Sequence, residues 1–391
     1  MAETLPPARW TSREDLARLV AALGPGNARW VGGAVRDTLL GIEAADVDCA
    51  TPLLPQEVMA RLERAGIKPI PTGIDHGTVT AVLPGGNVEI TTLRRDLSTD
   101  GRRATVEYAS DWEEDAARRD FTINALFADP GSLEIFDYFG GLEDLAARRV
   151  RFIGDARQRI REDHLRILRY YRFQARFGAE LDAQAEEACA ELAATLKGLS
   201  RERVAMELLN LLALPDPSAT LARMHRRRVL QVVLPEATEE TIAALELLAS
   251  AEHGAGIAPQ AIRRLAALLP ASPPVAETVA ARLRLSKSQR ERLACAAARS
   301  ADDTDTPRAL AYREGMTCAV DRLLLEGGDL ALLKEWDVPT FPLKGGEIVA
   351  RGVAAGPEVA RILRGVETRW IAEGFPSRER VEELLREFLQ G

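Results

Sequence analysis

Trp30-Val31-Gly32-Gly33-Ala34-Val35-Arg36-Asp37, followed by Asp46-Val47-Asp48, is the stretch on which the reading of this chain turns. It predicts a strand, a glycine turn, a short amphipathic helix to Gly41 and a second strand carrying the two carboxylates. Residues i and i+2 of a strand point to the same face, so Asp46 and Asp48 sit side by side. Two like charges that close repel unless a cation lies between them. Oxygen ligands on a rigid strand suit Mg²⁺, which takes one or two carboxylates plus substrate phosphates. Gly32 and Gly33 let backbone N–H groups approach a phosphate at a helix start. Arg36 adds a bidentate phosphate partner. Together these residues describe a site for a nucleoside triphosphate and its metal. Taken singly, a Gly-Gly pair is a turn and an Asp-x-Asp a solvated strand edge; their joint spacing is the specific signal.

Upstream, Thr11-Ser12-Arg13-Glu14 has the form of a capping box opening a helix to about Leu23, stopped by Gly24. Downstream, Pro55 to Ala65 predicts a helix. Gly77 to Leu83 and Asn87 to Leu93 alternate around Pro84-Gly85-Gly86, a hairpin signal. Glu89 in the second of these strands is a third carboxylate, either completing a metal site or standing as an edge charge. Arg94 to Arg103 is polar and reads as a mobile loop, followed by a strand at Thr105 to Ala109. Arg118-Arg119-Asp120 before an apolar segment has the composition of a surface salt-bridge cluster. Ile135 to Gly141 closes the sheet region, and one more strand is predicted at Val150 to Phe152.

The spacing Gly-Gly-x-Val-Arg-Asp then Asp-x-Asp resembles the signature of the polymerase-β-like nucleotidyltransferases. In particular it resembles the class II family of tRNA nucleotidyltransferases (CCA-adding enzymes) and bacterial poly(A) polymerases. Arg118-Arg119-Asp120-Phe121-Thr122-Ile123-Asn124-Ala125 matches a second motif of that family at every fixed position. By this resemblance Arg119 contacts the triphosphate, Asp120 lies near the ribose and Asn124 is structural. Ile135 to Gly141 is similar to the family's connector between catalytic head and neck.

Glu162 to Phe173, with Leu165, Leu168 and Phe173 on an apolar side, predicts one helix ending near Gly178. Asp163 and Arg166, at i and i+3, then share a face; such a pair commonly serves only as a helical ion pair. Its chemistry also fits base recognition. Cytosine and adenine present an amino donor beside a ring-nitrogen acceptor, whereas uracil and guanine present a carbonyl beside N–H. A carboxylate only accepts and a guanidinium only donates, so an Asp–Arg pair suits CTP and ATP and not UTP or GTP. The resemblance implies this role for the Glu162, Asp163 and Arg166 motif, and places Arg169 and Arg172 near the nucleotide. On a straight helix, the nine residues from Asp163 to Arg172 turn roughly half a circle beyond whole turns, which makes Arg172 the weakest of these assignments. Ser200 to Glu207 predicts a helix capped by Ser200; it resembles the family's last shared motif and is assigned structure rather than chemistry.

The chain has 391 residues and a formal net charge of −8. That length supports two or more domains, and the charge argues against an indiscriminate nucleic-acid binder. Only five of the 51 basic residues are lysines, a bias that a GC-rich genome also produces. No apolar run reaches the roughly 18 residues of a membrane span, and Met1 to Trp10 lacks the pattern of a signal peptide. The four cysteines, Cys49, Cys189, Cys295 and Cys318, form no Cys-x-x-Cys pair. That spacing argues against a disulfide framework or a zinc site and for a reducing cytoplasm. The basic run Arg223 to Arg228 either faces a phosphate backbone or is a solvated helix face. None of the four histidines forms a His-Asp doublet.

The expected fold class is therefore α+β: a small mixed or antiparallel N-terminal sheet with helices, then an all-α remainder. Expected domains are a catalytic head at 1–140, a helical neck at 141–213, a helical body at 214–300 and a helical tail at 301–391 that binds tRNA. The resemblance implies a template-independent enzyme using Mg²⁺, CTP and ATP on the tRNA 3′ end, with no membrane and no protein partner implied. A bacterial poly(A) polymerase, a partial CC- or A-adding enzyme, and a non-catalytic RNA-binding or nucleotide-sensing relative are the alternatives.

Overall fold

The structure, a computed structural model, describes residues 3–99, 104–109 and 111–390, and among these no side chain of 95–99 or 104–107. The chain divides into two compact units. The first comprises 1–211 with 223–233, the second 212–222 with 234–391.

In the first unit, β1 (Arg29–Val31), β2 (Val47–Thr51), β3 (Lys68–Gly73), β4 (Thr78–Val82), β5 (Val88–Thr92), β8 (Leu126–Ala128) and β9 (Ile135–Asp137) form one sheet. Its order is β3-β4-β5-β2-β1-β8-β9. It is mixed, because β2 runs parallel to β5 while every other pairing is antiparallel. β6 (Arg94–Thr99) and β7 (Ala104–Tyr108) make a separate antiparallel pair. The segment expected to be a mobile loop is thus strand over Arg94–Thr99, with residues 100–103 outside those described. β3 carries two prolines and strand pairing overrode its turn-like composition.

The helices α1 (Glu14–Leu23), α2 (Gly33–Leu39) and α3 (Pro55–Arg64) lie where the pattern places them. α1 is capped by Arg13 without a side-chain bond; Thr11 instead turns back on Ala8, so no capping box forms. α4 (Trp112–Ala117) begins at Asp111, whose side chain accepts from the Glu113 N–H. Val150 to Phe152 is no strand: it makes only the bridge Phe121–Phe152, beside Arg149–Glu180. A buried cluster of Val31, Ala50, Leu93, Ala116, Ala125 and Phe127 fills one face of the sheet.

α5 (Gly141–Ala146), α6 (Ala156–Glu162), α7 (Arg166–Phe177), α8 (Ala183–Glu191) and α9 (Arg201–Leu212) complete this part of the chain. Phe121 packs against Phe152, Phe173 and Tyr170 at centroid distances of 4.9, 5.3 and 6.4 Å. This aromatic stack ties α7 to the segment after α4. In the basic run, Arg223 and Arg227 sit 3.6 and 3.0 Å from Glu186 of α8, so these two are held by protein carboxylates.

Among its described residues the second unit carries helices and connecting segments but no strand, in agreement with the α+β expectation. Glu252 grips Arg263 and Arg264 at 2.6 and 2.8 Å, and Asp321 grips Arg263 and Arg292 at 3.2 and 2.7 Å. Cys295 and Cys318 are disulfide-bonded, with Cα atoms 6.1 Å apart. The expectation of unpaired cysteines is corrected: the sequence spacing conceals that Lys287–Ala297 and Met316–Leu325 pack together. No helix among the described residues is long and apolar enough to cross a membrane.

Gly141 opens α5 with no room for a side chain. A Cβ there would collide with the Thr122 carbonyl and stand 3.0 Å from the Leu126 side chain. Asp137 accepts the Gly141 and Leu142 N–H groups at 2.9 Å each, so the backbone cannot easily move aside. Gly141→Ala should therefore destabilise the first unit by about 1–3 kcal/mol, the usual overpacking cost, read as a lower denaturation midpoint at an unchanged slope.

Candidate functional site

β1 ends at a glycine because the chain must reverse into α2 with a positive φ: Gly32 has φ 71° and ψ −122°, a conformation L-residues avoid. Its N–H donates to the Leu126 carbonyl, and a Cβ would stand 3.6 Å from the Arg119 guanidinium. The turn thus lies against the arginine segment after α4.

A cavity of about 670 Å³ opens here. Its wall includes Gly32, Gly33, Arg36, Asp46, Asp48, Arg119, Asp120, Asp163, Arg166, Arg169 and Arg172, drawn from four separate stretches of sequence. Arg118, Asn124 and Phe173 line it as well. Glu89 is not in the wall; it is exposed on β5, opposite Asp48 in the parallel register.

The carboxylates form the acidic end. Asp46 is exposed just before β2, and Asp48 is half-buried within it. Burial, then Glu89, then Asp46 push the Asp48 carboxyl up to about 6, against the opposing pull of Arg119. A carboxylate held this far above its ordinary range beside two others is under-compensated. An oxygen-donor set of this kind fits a hard divalent cation.

The cationic wall is ordered from behind. Arg36 is 5% exposed; it binds Asp37 at 2.7 Å and the Asn124 carbonyl at 2.5 Å and lies over the Phe177 ring. Burial lowers its pKa, opposed by Asp37. Little of this guanidinium is left for a bidentate grip. Asn124 also donates to Asp120 at 3.0 Å, so it bridges two wall residues. Arg118 and Arg119 share the buried Asp115 at 2.7 and 3.0 Å. Asp120 takes both Nε and Nη2 of Arg169 at 2.8 and 2.6 Å. Burial pushes the Asp120 carboxyl up, but Arg169, Asn124 and the Phe121 N–H outweigh it and hold it below the usual range.

The predicted single helix across Glu162 to Phe173 is two helices. α6 ends at Glu162, Asp163 is extended with φ −148° and ψ 104°, and α7 starts at Arg166. The Asp163 carboxylate caps the turn by accepting the Leu165 N–H at 3.1 Å, and that local bond competes with helix. Asp163 and Arg166 therefore do not share a helical face, yet both reach the cavity. Asp163 pairs with Arg203 at 2.7 Å. Arg166 pairs with Glu162 at 2.7 Å and donates to the Arg118 carbonyl at 3.2 Å. From Arg166 to Arg172 the helix turns about 600°, so Arg166, Arg169 and Arg172 fall within a ~120° stripe. Arg172 is bound by Glu207 at 2.6 Å.

Arg203 and Glu207 come from the α9 segment read from sequence as structural; they touch the wall residues directly. Asp115 was missed too, although its spacing of three and four residues before Arg118 and Arg119 is a legible ion-pair signal.

The family model for the "Poly A polymerase head domain" matches residues 28–151, and one for the "Probable RNA and SrmB- binding site of polymerase A" matches 178–241. The chain is 37% identical over 369 residues to CCA tRNA nucleotidyltransferase 1, mitochondrial, of Homo sapiens, covering 89% of this chain and 83% of that one. It is 42% identical over 197 residues to the CCA-adding enzyme of Geobacillus stearothermophilus, covering 50% of this chain and 48% of that one. The solved structure of the Bacillus stearothermophilus CCA-adding enzyme in complex with CTP superposes with a TM-score of 0.71 at 26% identity, over 96% of this chain and 97% of that one.

The Asp120–Arg169 pair has a pH signature. Its carboxyl is lowered in the fold, so the stability it adds is present above the unfolded value near 4 and is lost as pH falls through the folded value. Asp120→Asn should lower the melting temperature at pH 7 and narrow the gap between pH 7 and pH 3 seen in the unsubstituted chain.

Proposed function

Because the chain belongs to the CCA tRNA nucleotidyltransferase family and is a nucleotidyltransferase, we propose that it adds C, C and A to the tRNA 3′ end from CTP and ATP without a nucleic-acid template. The tRNA 3′-hydroxyl attacks the α-phosphate and pyrophosphate leaves. The observation that supports this reading best is the single cavity lined by the two glycines, the two strand aspartates and the arginine stripe of α7.

In this reading the Gly33 backbone and Arg119 receive the triphosphate, with Arg36 shaping the pocket behind them. Asp120 holds Arg169 and lies near the ribose. Asp163 accepts the exocyclic amine of cytosine or adenine and Arg166 donates to the ring nitrogen. UTP and GTP would set carbonyl against carboxylate and N–H against guanidinium, leaving charged groups unpaired at a cost of about 1–3 kcal/mol or more. Enzymes of this family use divalent metal ions. Two Mg²⁺ ions held by Asp46 and Asp48, with Glu89 beside them, would lower the pKa of the attacking hydroxyl and neutralise the leaving pyrophosphate. We further propose the head, neck, body and tail division at 140, 213 and 300, with the tail gripping tRNA.

Labelled nucleotides offered singly and together to tRNA transcripts ending before, within and after CCA test the reading. Three additions that stop at CCA, with UTP and GTP refused, are expected. A long adenylate ladder would make the chain a poly(A) polymerase, arrest after CC a partial enzyme, and no extension a non-catalytic relative. Arg166→Ala should relax the choice of base by tenfold or more, on the order of one lost charged hydrogen bond. The raised Asp48 carboxyl predicts a second effect. Protons compete with metal below about pH 6, so the Mg²⁺ concentration for half-maximal binding should rise about tenfold per unit as pH falls below that value. Asp48→Asn should remove this dependence, as measured with Mn²⁺ by electron paramagnetic resonance.

A further inference from the structure

Asp115, in the first turn of α4, is 1% exposed and outside the cavity wall. Its two oxygens serve different partners. Oδ1 accepts the Arg118 Nε–H at 2.7 Å and the backbone N–H of Arg94, the first residue of β6, at 3.2 Å. Among the described residues, Oδ2 accepts from Arg119, through Nε at 3.3 Å and Nη2 at 3.0 Å. Burial pushes this carboxyl up, but Arg119 and Arg118 outweigh it and keep it ionised. Arg119 otherwise rests on the Phe127 ring, its guanidinium carbon 5.2 Å from the centroid. It also lines the cavity into which Asp46 and Asp48 open.

We infer that Asp115 is the positioning residue for Arg119, holding its guanidinium toward the triphosphate of either nucleotide while touching no substrate itself. The inference rests on the nucleotidyl-transfer reading of the cavity. The reason is geometric. Arg119 has three rotatable bonds beyond its Cβ and faces an open cavity on one side and a flat ring on the other. Among the described residues, Asp115 Oδ2 sets its direction by accepting from both Nε and Nη2, which leaves the remaining Nη1 and Nη2 hydrogens for a ligand. The triphosphate is common to CTP and ATP, so the effect must be blind to the base. The base-reading pair on the other side of the cavity must show the opposite pattern.

Asp115→Asn separates these roles. Oδ1 faces two donors, so the amide oxygen stays there, and the NH₂ group is turned on Arg119, donor against donor. In steady-state single additions by the full chain, we expect KM for CTP and for ATP to rise alike, by about tenfold or more, with KM for tRNA unchanged. Inhibition by inorganic tripolyphosphate should weaken by the same factor, a readout that a loss of folded protein would not move. In an Arg119→Ala background, Asp115→Asn should add nothing further, since both changes remove one interaction. If Asp115→Asn does not fold, Asp115→Glu, which keeps the charge but shifts the fork by one methylene, takes its place in the same cycle. An unchanged nucleotide KM, or a penalty that persists at full size in the Arg119→Ala background, overturns the inference. Failure of the unsubstituted chain to add any nucleotide overturns the reading beneath it instead.

Discussion

Crowding positive charge into one wall is the constraint on which this site depends. Six arginines face a single cavity, and uncompensated cations so placed would repel one another and each lose several kcal/mol of hydration. The fold answers with carboxylates set behind the wall: Asp37 for Arg36, Asp115 for Arg118 and Arg119, Glu162 for Arg166, Asp120 for Arg169, Glu207 for Arg172. A carboxylate satisfies two of the five donors of a guanidinium. Except at Arg36, whose donors are largely used within the protein, some of the rest stay available to a ligand, and the side-chain entropy of each arginine, about 2 kcal/mol, is spent in folding rather than in binding.

The same pairs explain why the cavity holds together. Arg169 with Asp120 spans 49 residues of sequence, Arg172 with Glu207 spans 35, and Arg176 with Asp37 spans 139. Each ties α7 to the sheet region or to α9, so the ion pairs and the Phe121 aromatic stack fix one arrangement between them. Asp144, fully buried, adds a further joint by gathering Thr122, Arg149 and Arg151 around the start of α5. The acidic end is the exception: among the described residues Asp48 has no such partner, and it keeps a raised carboxyl. The wall is balanced within the protein, and the acidic end is left to be balanced from outside it.

Much of this was legible in the sequence where spacing is short. Strand, turn and helix around Gly32 and Gly33, the β4–β5 hairpin, α1 and α3 all follow from local period and turn residues. Most members of the wall were legible through resemblance to the family's motifs; Arg118, Asn124 and Phe173 were not. What stayed hidden lies at longer range. β3 and β6 are strands through pairing, not composition. Cys295 and Cys318 meet because two helices pack, which no spacing reveals. Arg203 and Glu207 looked structural because their partners lie 40 and 35 residues away.

The break at Asp163 shows how a local error can hide a tertiary solution. A continuous helix would turn about 900° between Asp163 and Arg172 and set them on opposite sides, which is why Arg172 looked out of place. The chain instead leaves helical geometry for one residue, with the Asp163 side chain supplying the turn's missing acceptor. That single extended residue frees the carboxylate from the phase of α7. The three cavity-lining arginines of α7 then need share a stripe only with one another, and Asp163 can meet the same cavity from its own direction, held there by Arg203. Mixed acceptor and donor recognition at one point is hard to build on a single helical face, where neighbouring opposite charges satisfy each other first. Interrupting the helix keeps Asp163 and Arg166 adjacent in sequence but paired with different partners, so that each retains capacity for a third.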